Sequence, residues 1–351
     1  RPPAKAGRTA TPCASNARSH GLPRMSDPRL VSLSHRLRNI AAQEGVPPQR
    51  VRNRYVFQRV LARLARDPRG VLKGGFGLEL RLGLAARTTK DLDLLLTEVA
   101  GLTAADLQDL LDEALDVDLG DDCTFGVRPP RQVRVEDELP STWRVVVDVF
   151  VARSPFETVT IDVVTKASEP TEGLDAVAVR PMLGGEPFAV RSVDLPRHAA
   201  EKLHAYARIY AHERPSSRVK DLVDLALLVE QDLLEPGAFA RAVAAVFAER
   251  DAADPPLDLP EPPRDWRVPF AAMASEIGLS ERTLDAAAAL VRRFYLSAFD
   301  DESGVLAGAL VGGLIGAGLG VSNGVLVYYL FDFQPRGPHP RPSPPRPACR
   351  R

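Results

Sequence analysis

The chain has 351 residues, with 45 Lys plus Arg against 46 Asp plus Glu and a formal net charge of −1. Its 45% hydrophobic and 26% charged residues are those of an ordinary folded soluble protein, long enough to build a core without metal or disulfide staples. Three scattered cysteines, Cys13, Cys123 and Cys349, exclude a disulfide framework and a Cys-based zinc site, and global neutrality excludes a protein that is basic all over.

Residues 1–24 are rich in Pro, Ala, Arg and Ser, lack apolar periodicity and hold no apolar run suited to a secretory signal. They read as a disordered arm or as a non-native extension ahead of a start at Met25. From Arg29 to about Arg66 the pattern is helical: Val56, Val60 and Leu64 recur every four residues, with Arg52, Arg59, Arg63 and Arg66 on another face. Asp67-Pro68 stops that helix. A short strand, Gly70-Val71-Leu72, leads through Lys73-Gly74-Gly75 into a helix over 76–84. Asp91-Leu92-Asp93-Leu94-Leu95-Leu96 reads as a strand, and 103–115 as an amphipathic helix with Leu107, Leu110, Leu111 and Leu115 inward. Two β-rich runs, 143–150 and 158–164, flank Ala152-Arg153-Ser154-Pro155 and predict an antiparallel hairpin, with shorter extended pieces at 176–179 and 188–193. Beyond Pro196 the chain is helical, at 198–211, 218–230, 238–249 and 281–299, interrupted by a proline-rich loop at 254–263. The expectation is an α+β domain at 25–195, a mixed sheet flanked by helices, followed by a helical C-terminal domain at 196–300 and a tail at 301–351.

That tail holds 28 residues, 304–331, without a charge, and glycines every four residues from Gly304 to Gly324, the small-residue spacing of packed membrane helices. Membrane contact through 304–331 is not the favoured reading. Asp300, Asp301 and Glu302 precede the run and arginines follow it, which would put the main domain outside the cytosol. The alternatives are an oligomer-forming helix or a non-native extension.

The chemistry gathers at Gly74-Gly75, Asp91-x-Asp93 and a lone carboxylate in an apolar β-run, Asp162. Carboxylates at i and i+2 on a strand share a face, and two like charges among apolar neighbours are costly unless a cation neutralises them. A hard divalent ion with oxygen ligands fits, Mg²⁺ being the usual one where phosphates complete the shell. A third aspartate from a neighbouring strand would complete a two-metal site, one ion activating a hydroxyl and the other holding a triphosphate. Asp148 rivals Asp162, because it too interrupts a valine-rich run; Asp162 lies more centrally in its strand. The glycine pair lets backbone N–H groups approach phosphate at a helix N-terminus.

In this order the residues resemble the nucleotidyltransferase superfamily, and within it the AbiEii/AbiGii toxin family. The resemblance rests on four motifs: Leu72-Lys73-Gly74-Gly75, Arg87 to Leu94, Ala200-Glu201-Lys202-Leu203-His204-Ala205 and Ser217 to Leu225, spanning about 50–230. It implies a nucleotidyltransferase fold and metal-dependent transfer of a nucleoside monophosphate from an NTP, with release of pyrophosphate. Asp91, Asp93 and Asp162 would bind Mg²⁺, Lys73, Gly74, Gly75 and Lys202 would contact the triphosphate, and Asp221 would complete a Lys…Asp pair. It further implies a cytoplasmic toxin of a phage-defence or toxin–antitoxin system, with tRNA as acceptor and a separately encoded antitoxin. Transfer to a small molecule or protein, and non-catalytic binding of a nucleotide or partner, remain the alternatives. Spacing alone makes His204 structural, and makes Asp224 part of an intrahelical ion pair with Arg218.

Charge is segregated along the chain. From Met25 to Lys90 there are 14 Arg/Lys against four acids; from Asp91 to Val127 there are 11 acids and no Arg/Lys. A basic helical layer beside an acidic sheet suits an RNA backbone entering an active site, or simply describes solvated helix faces.

Overall fold

Parallel pairing between two strands far apart in sequence organises the chain. The computed structural model describes residues 27–99, 101–133, 142–165, 173–208 and 218–312. Two helices, α1 (Pro28–Glu44) and α2 (Pro48–Leu64), precede β1 (Gly70–Lys73), α3 (Gly74–Leu82), β2 (Asp91–Leu96) and α4 (Ala104–Leu115). Six strands follow: β3 (Cys123–Val127), β4 (Arg131–Gln132), β5 (Thr142–Val151), β6 (Ser154–Thr165), β7 (Leu174–Val179) and β8 (Phe188–Val193). Then come α5 (Leu195–Ala207), α6 (Val219–Glu230), α7 (Pro236–Asp251), α8 (Arg267–Ile277) and α9 (Leu284–Gly312). The strands form one eight-stranded mixed sheet in the order β3-β5-β6-β2-β1-β8-β7, with β4 on β5. β2 runs parallel to β6 and β1 parallel to β8, while β1–β2 and β5–β6 are antiparallel. The architecture is the mixed sheet flanked by helices that the sequence predicts, with a helical region behind it.

Alternation along the strands sets two faces. Leu92, Leu94 and Leu96 of β2 and Val159, Ile161 and Val163 of β6 join α1, α2 and α4 in one core through Leu37, Val56, Phe57, Val60, Leu61, Leu107 and Leu111. The intervening residues, Asp91, Asp93 and Asp162 among them, therefore face the other way. A second core unites α5 to α9, with Leu203, Leu222, Leu225, Phe239, Phe270 and Val291 buried in it, and it includes Leu78 of α3. Residues Arg1–Val305 and Leu306–Arg351 separate as two units. Of the second, only the backbone of α9 as far as Gly312 is among the described residues, so the glycine-spaced run of 304–331 lies largely outside them, as do residues 1–24. Among the described residues no helix is long and apolar enough to cross a membrane.

Three local features differ from the sequence expectation. The single helical pattern over 29–66 is two helices, because Gly45 takes a left-handed φ of 67° as C-cap and Pro47-Pro48 restarts the chain. α8 is unanticipated; Pro269 sits in its first turn, where a missing N–H costs nothing. β3 is short and contains Gly126, and only its pairing with β5 makes it a strand.

The segregated charges meet at Asp121, and other arginines of α2 pair within the basic stretch. Arg63, 1% exposed, donates from Nη2 to Asp121 Oδ1 at 2.7 Å, from Nη1 to Oδ2 at 3.0 Å, and from Nε to the Val117 carbonyl at 2.9 Å. Arg59 lies 4.0 Å from the same carboxylate, Arg50 3.6 Å from Glu79, and Arg54 2.8 Å from Glu44. The basic helix α2 thus covers the sheet face opposite the aspartates, and its buried arginines are spent on partners inside the fold. The buried arginines of α2 therefore neither line a route to the acidic sheet nor form a solvated face: the apolar stripe of α2 needs the leucine face of the sheet, which carries these arginines there too.

Burial pushes the Asp121 carboxyl up, but hydrogen bonds and charge from Arg63 outweigh it and hold it below its usual range. Asp121→Asn is therefore expected to lower the unfolding free energy by about 3 kcal/mol at neutral pH, measured by urea denaturation. Because the folded carboxyl titrates below its unfolded value of about 3.9, this contribution is complete above that pH and is lost as pH falls through the folded value. The wild-type and variant stabilities should converge in acid.

Candidate active site

The sheet register writes a row of four charges across adjacent strands. Lys73 of β1 pairs with Asp93 of β2, Asp93 with Asp162 of β6, and Asp162 with Arg144 of β5. Directly paired residues point to one face with Cβ atoms about 5 Å apart, so the two carboxylates lie side by side between two cations. Asp93 feels this most: burial first, then the charges of Asp91 and Asp162, raise its carboxyl above the ordinary value, against a pull from Lys220 and Lys202. Asp91 sits two residues along on the same face, with the Thr89 hydroxyl 3.4 Å from its Oδ1. Asp148, the rival third carboxylate, is paired in the sheet with Thr158 and Gly126, not with an acid, and is held by Arg128 at 2.7 and 2.8 Å.

Gly74 is required at its place for two independent reasons. Its φ is +63°, and a Cβ there would fall 1.8 Å from Asp93 Oδ2. β1 runs straight into α3, so the first residue of α3 lies against Asp93. Gly75 packs on the next motif, where a Cβ would sit 3.0 Å from Thr89 Oγ1 and 3.3 Å from Arg87 Nη2.

The remaining motifs meet at one buried carboxylate. Asp224, 1% exposed, accepts from Lys202 Nζ at 2.6 Å and from Arg87 Nε at 3.0 Å. Lys202 also lies 3.4 Å from Asp221 Oδ1, and Arg218 lies 3.0 Å from Asp221 Oδ2. The intrahelical pair expected for Asp224 is therefore made by Asp221 instead. Asp224 faces inward, one helical step round, and ties α6 to α5 and to the strand-leading motif. Burial alone would lower the Lys202 pKa, but Asp224 and Asp221 raise it, so Lys202 stays charged. For Asp224 burial is likewise overruled, by Lys202 and Arg87, and its carboxyl is held low.

Lys73 reaches across to α5, 2.9 Å from Glu201 Oε1, which Arg250 approaches at 3.2 Å and Arg197 at 3.6 Å. These cations outweigh burial and depress Glu201 to about 2. His198, one turn before Lys202, is buried with Nδ1 unpartnered, and burial followed by the Lys202 charge drops it to about 3, so it is a neutral imidazole. His204 is structural in its surroundings: buried, 2.7 Å from Asp251 and edge-on to Phe247.

Lys73, Gly74, Asp93, Asp162, His198, Glu201, Lys202, Arg218, Asp221 and Arg250 line one open cleft. Of the residues singled out in the sequence, Asp91, Gly75 and Asp148 are not part of this lining. Arg144, Glu201, Asp224, His198 and Arg250 were missed as site residues. Counting back from the hairpin turn would set Arg144 opposite Ile161, and only the register shift between Val149 and Phe150 brings it to Asp162; His198 and Glu201 could have been read from their spacing to Lys202 and Arg197, and Arg250 carries no local signal.

The family described as "Nucleotidyl transferase AbiEii toxin, Type IV TA system" matches residues 56–293, more than half of the 351. The chain belongs to the AbiEii nucleotidyltransferase toxin family. Its match takes in all four motifs and runs through the helical region to α9. Among solved structures, one described as "putative nucleotidyltransferase from H. pylori" is 16% identical, covers 73% of this chain and 98% of its own, and superposes with a TM-score of 0.44. No curated protein sequence matches the chain. Membership in the AbiEii family brings a transferase activity and an antitoxin counterpart with it.

Two substitutions test the geometry. Gly74→Ala is expected to cost more than about 1 kcal/mol, from φ strain and overlap with Asp93, measured by thermal denaturation. Asp224→Asn takes the counter-charge from Arg87 and leaves Lys202 only Asp221 at 3.4 Å, and is expected to cost about 3 kcal/mol, whereas a solvated intrahelical pair would cost under about 1 kcal/mol.

Proposed function

We propose that this chain is a metal-dependent nucleotidyltransferase toxin that moves a nucleoside monophosphate from an NTP to an acceptor, tRNA, with release of pyrophosphate. The observation that carries the reading is the placement of Asp93 beside Asp162 across parallel strands, facing a cleft whose opposite wall holds a charged lysine, Lys202.

The donor set fits a hard divalent cation in kind. Asp91, Asp93 and Asp162 offer carboxylate oxygens only, and Asp93 and Asp162 stand side by side in the sheet register. Among the described residues no three His, Cys, Asp or Glu side chains already close on one point, and both Asp162 oxygens are held by Arg144. Mg²⁺ held there would acidify the attacking hydroxyl and neutralise charge on the transferring phosphoryl group. The protein's own groups do the rest. The backbone N–H groups at the α3 N-terminus face phosphate oxygens. Lys73 and Lys202 add fixed positive charge, Lys202 being aimed by Asp221 and Asp224. Arg218 and Arg250 at the cleft wall suit a polyanionic acceptor better than a neutral small molecule.

The purified chain, incubated with Mg²⁺, each α-labelled NTP and total tRNA, is expected to label tRNA. Asp93→Asn is expected to lower transfer by about 100-fold or more while leaving the circular dichroism spectrum unchanged. Label in a protein or small-molecule fraction would retire tRNA as acceptor; label in none, for every NTP, would retire the enzymatic reading.

A further inference from the structure

Two arginine–aspartate forks stand on the same antiparallel ladder. Arg128 holds Asp148 from Nε and Nη2 at 2.8 and 2.7 Å, and Arg144 holds Asp162 from the same two atoms at 2.8 and 2.7 Å. Their surroundings differ. The Asp148 fork faces the Thr158 hydroxyl, and no carboxylate neighbours it in the sheet. The Asp162 fork abuts Asp93, and the charges of Asp91 and Asp93 act on Arg144 as well.

Both oxygens of Asp162 are thus occupied by a guanidinium at the position where the carboxylate is needed for a cation. The two occupants compete: the fork takes one lone pair on each Asp162 oxygen, leaving a metal only the other, and like charges repel across one carboxylate. The fork is also releasable. The Arg144 side chain is 53% exposed, whereas that of Lys202, tied to Asp224 in the buried pair, is 8% exposed. An exposed fork gives up little on opening, and water is available to the freed guanidinium.

We propose that Arg144 is a positioning residue that competes with the divalent cation for Asp162, and that the guanidinium freed by the cation turns to substrate phosphate. In the cation-free protein Arg144 neutralises Asp162 and keeps the carboxylate row from unchecked repulsion. When a cation takes the Asp162 oxygens, Arg144 carries an unpaired charge beside the cleft, and the chemistry that satisfies it is a phosphate oxygen, from the NTP or from the acceptor backbone. The same exchange makes cation and substrate binding cooperative, since each makes room for the other. This inference rests on the nucleotidyl-transfer reading above.

The test uses the full chain and Mn²⁺ alone, with free Mn²⁺ followed by electron paramagnetic resonance. Arg144→Gln is expected to tighten Mn²⁺ binding about fivefold or more, and Arg144→Lys about threefold, because lysine keeps the charge but loses the fork. Arg128→Gln, the matched fork away from the row, should change it by less than about twofold. In transfer assays Arg144→Gln should raise KM severalfold for either the NTP or tRNA, which names the phosphate source. Tighter Mn²⁺ with a higher KM is the signature of exchange. If Arg144→Gln and Arg144→Lys bind Mn²⁺ as wild type does, while Asp93→Asn abolishes both binding and transfer, the exchange is wrong and the nucleotidyl-transfer reading survives. An Arg144→Lys variant indistinguishable from wild type beside a tightened Arg144→Gln would reduce the effect to simple charge and also overturn the fork. Unchanged KM for both substrates would overturn the phosphate half. No Mn²⁺ binding by any variant, with no transfer, would overturn both readings together.

Discussion

The parallel pairing of β2 with β6 sets Asp93 against Asp162, and nearly everything at the cleft follows from accommodating those two like charges. Side-by-side carboxylates on a sheet are unfavourable unless cations flank them. Here Lys73 and Arg144 occupy the neighbouring positions in the same row, so the sheet carries its own counter-charges. Asp93 nevertheless remains raised in pKa, by burial first and by the charges of Asp91 and Asp162 after it. Gly74 belongs to the same constraint, because any side chain there would displace Asp93.

Around this row the protein builds a deliberate contrast between rigid and yielding ion pairs. Lys202, Asp224 and Arg87 are buried together, and removing one partner leaves a charge that nothing solvates. They join the sheet domain to the helical region behind it, and their job is placement. Arg144 and Asp162 are held by an exposed fork that solvent can replace. Placement needs the first kind of pair, and exchange needs the second.

The near-zero net charge takes on a different meaning once the fold is known. The basic helices and the acidic segment look in sequence like two surfaces awaiting a shared substrate. They touch at two acids, Arg63 on Asp121 and Arg29 on Asp122, while Arg50 and Arg54 pair with Glu79 and Glu44 inside the basic stretch itself. The cleft's own cations come from elsewhere: β1, α5, the start of α6 and the end of α7.

The sequence by itself determined the strand carrying Asp91 and Asp93, the glycine turn before α3, the β5–β6 hairpin and the helical run beyond Pro196, because each is written in local periodicity and turn chemistry. It also carried the family, through four motifs in order. Tertiary structure alone decided which carboxylate stands next to Asp93, since Asp148 and Asp162 look alike along the chain and only inter-strand register separates them. It alone turned Asp224 inward to Lys202 and Arg87 and set Arg250 beside Glu201, because contacts between residues tens of positions apart leave no local pattern. And it alone placed the basic helix behind the sheet: a hydrophobic stripe shows that a helix is packed, but not on which face of the sheet it packs.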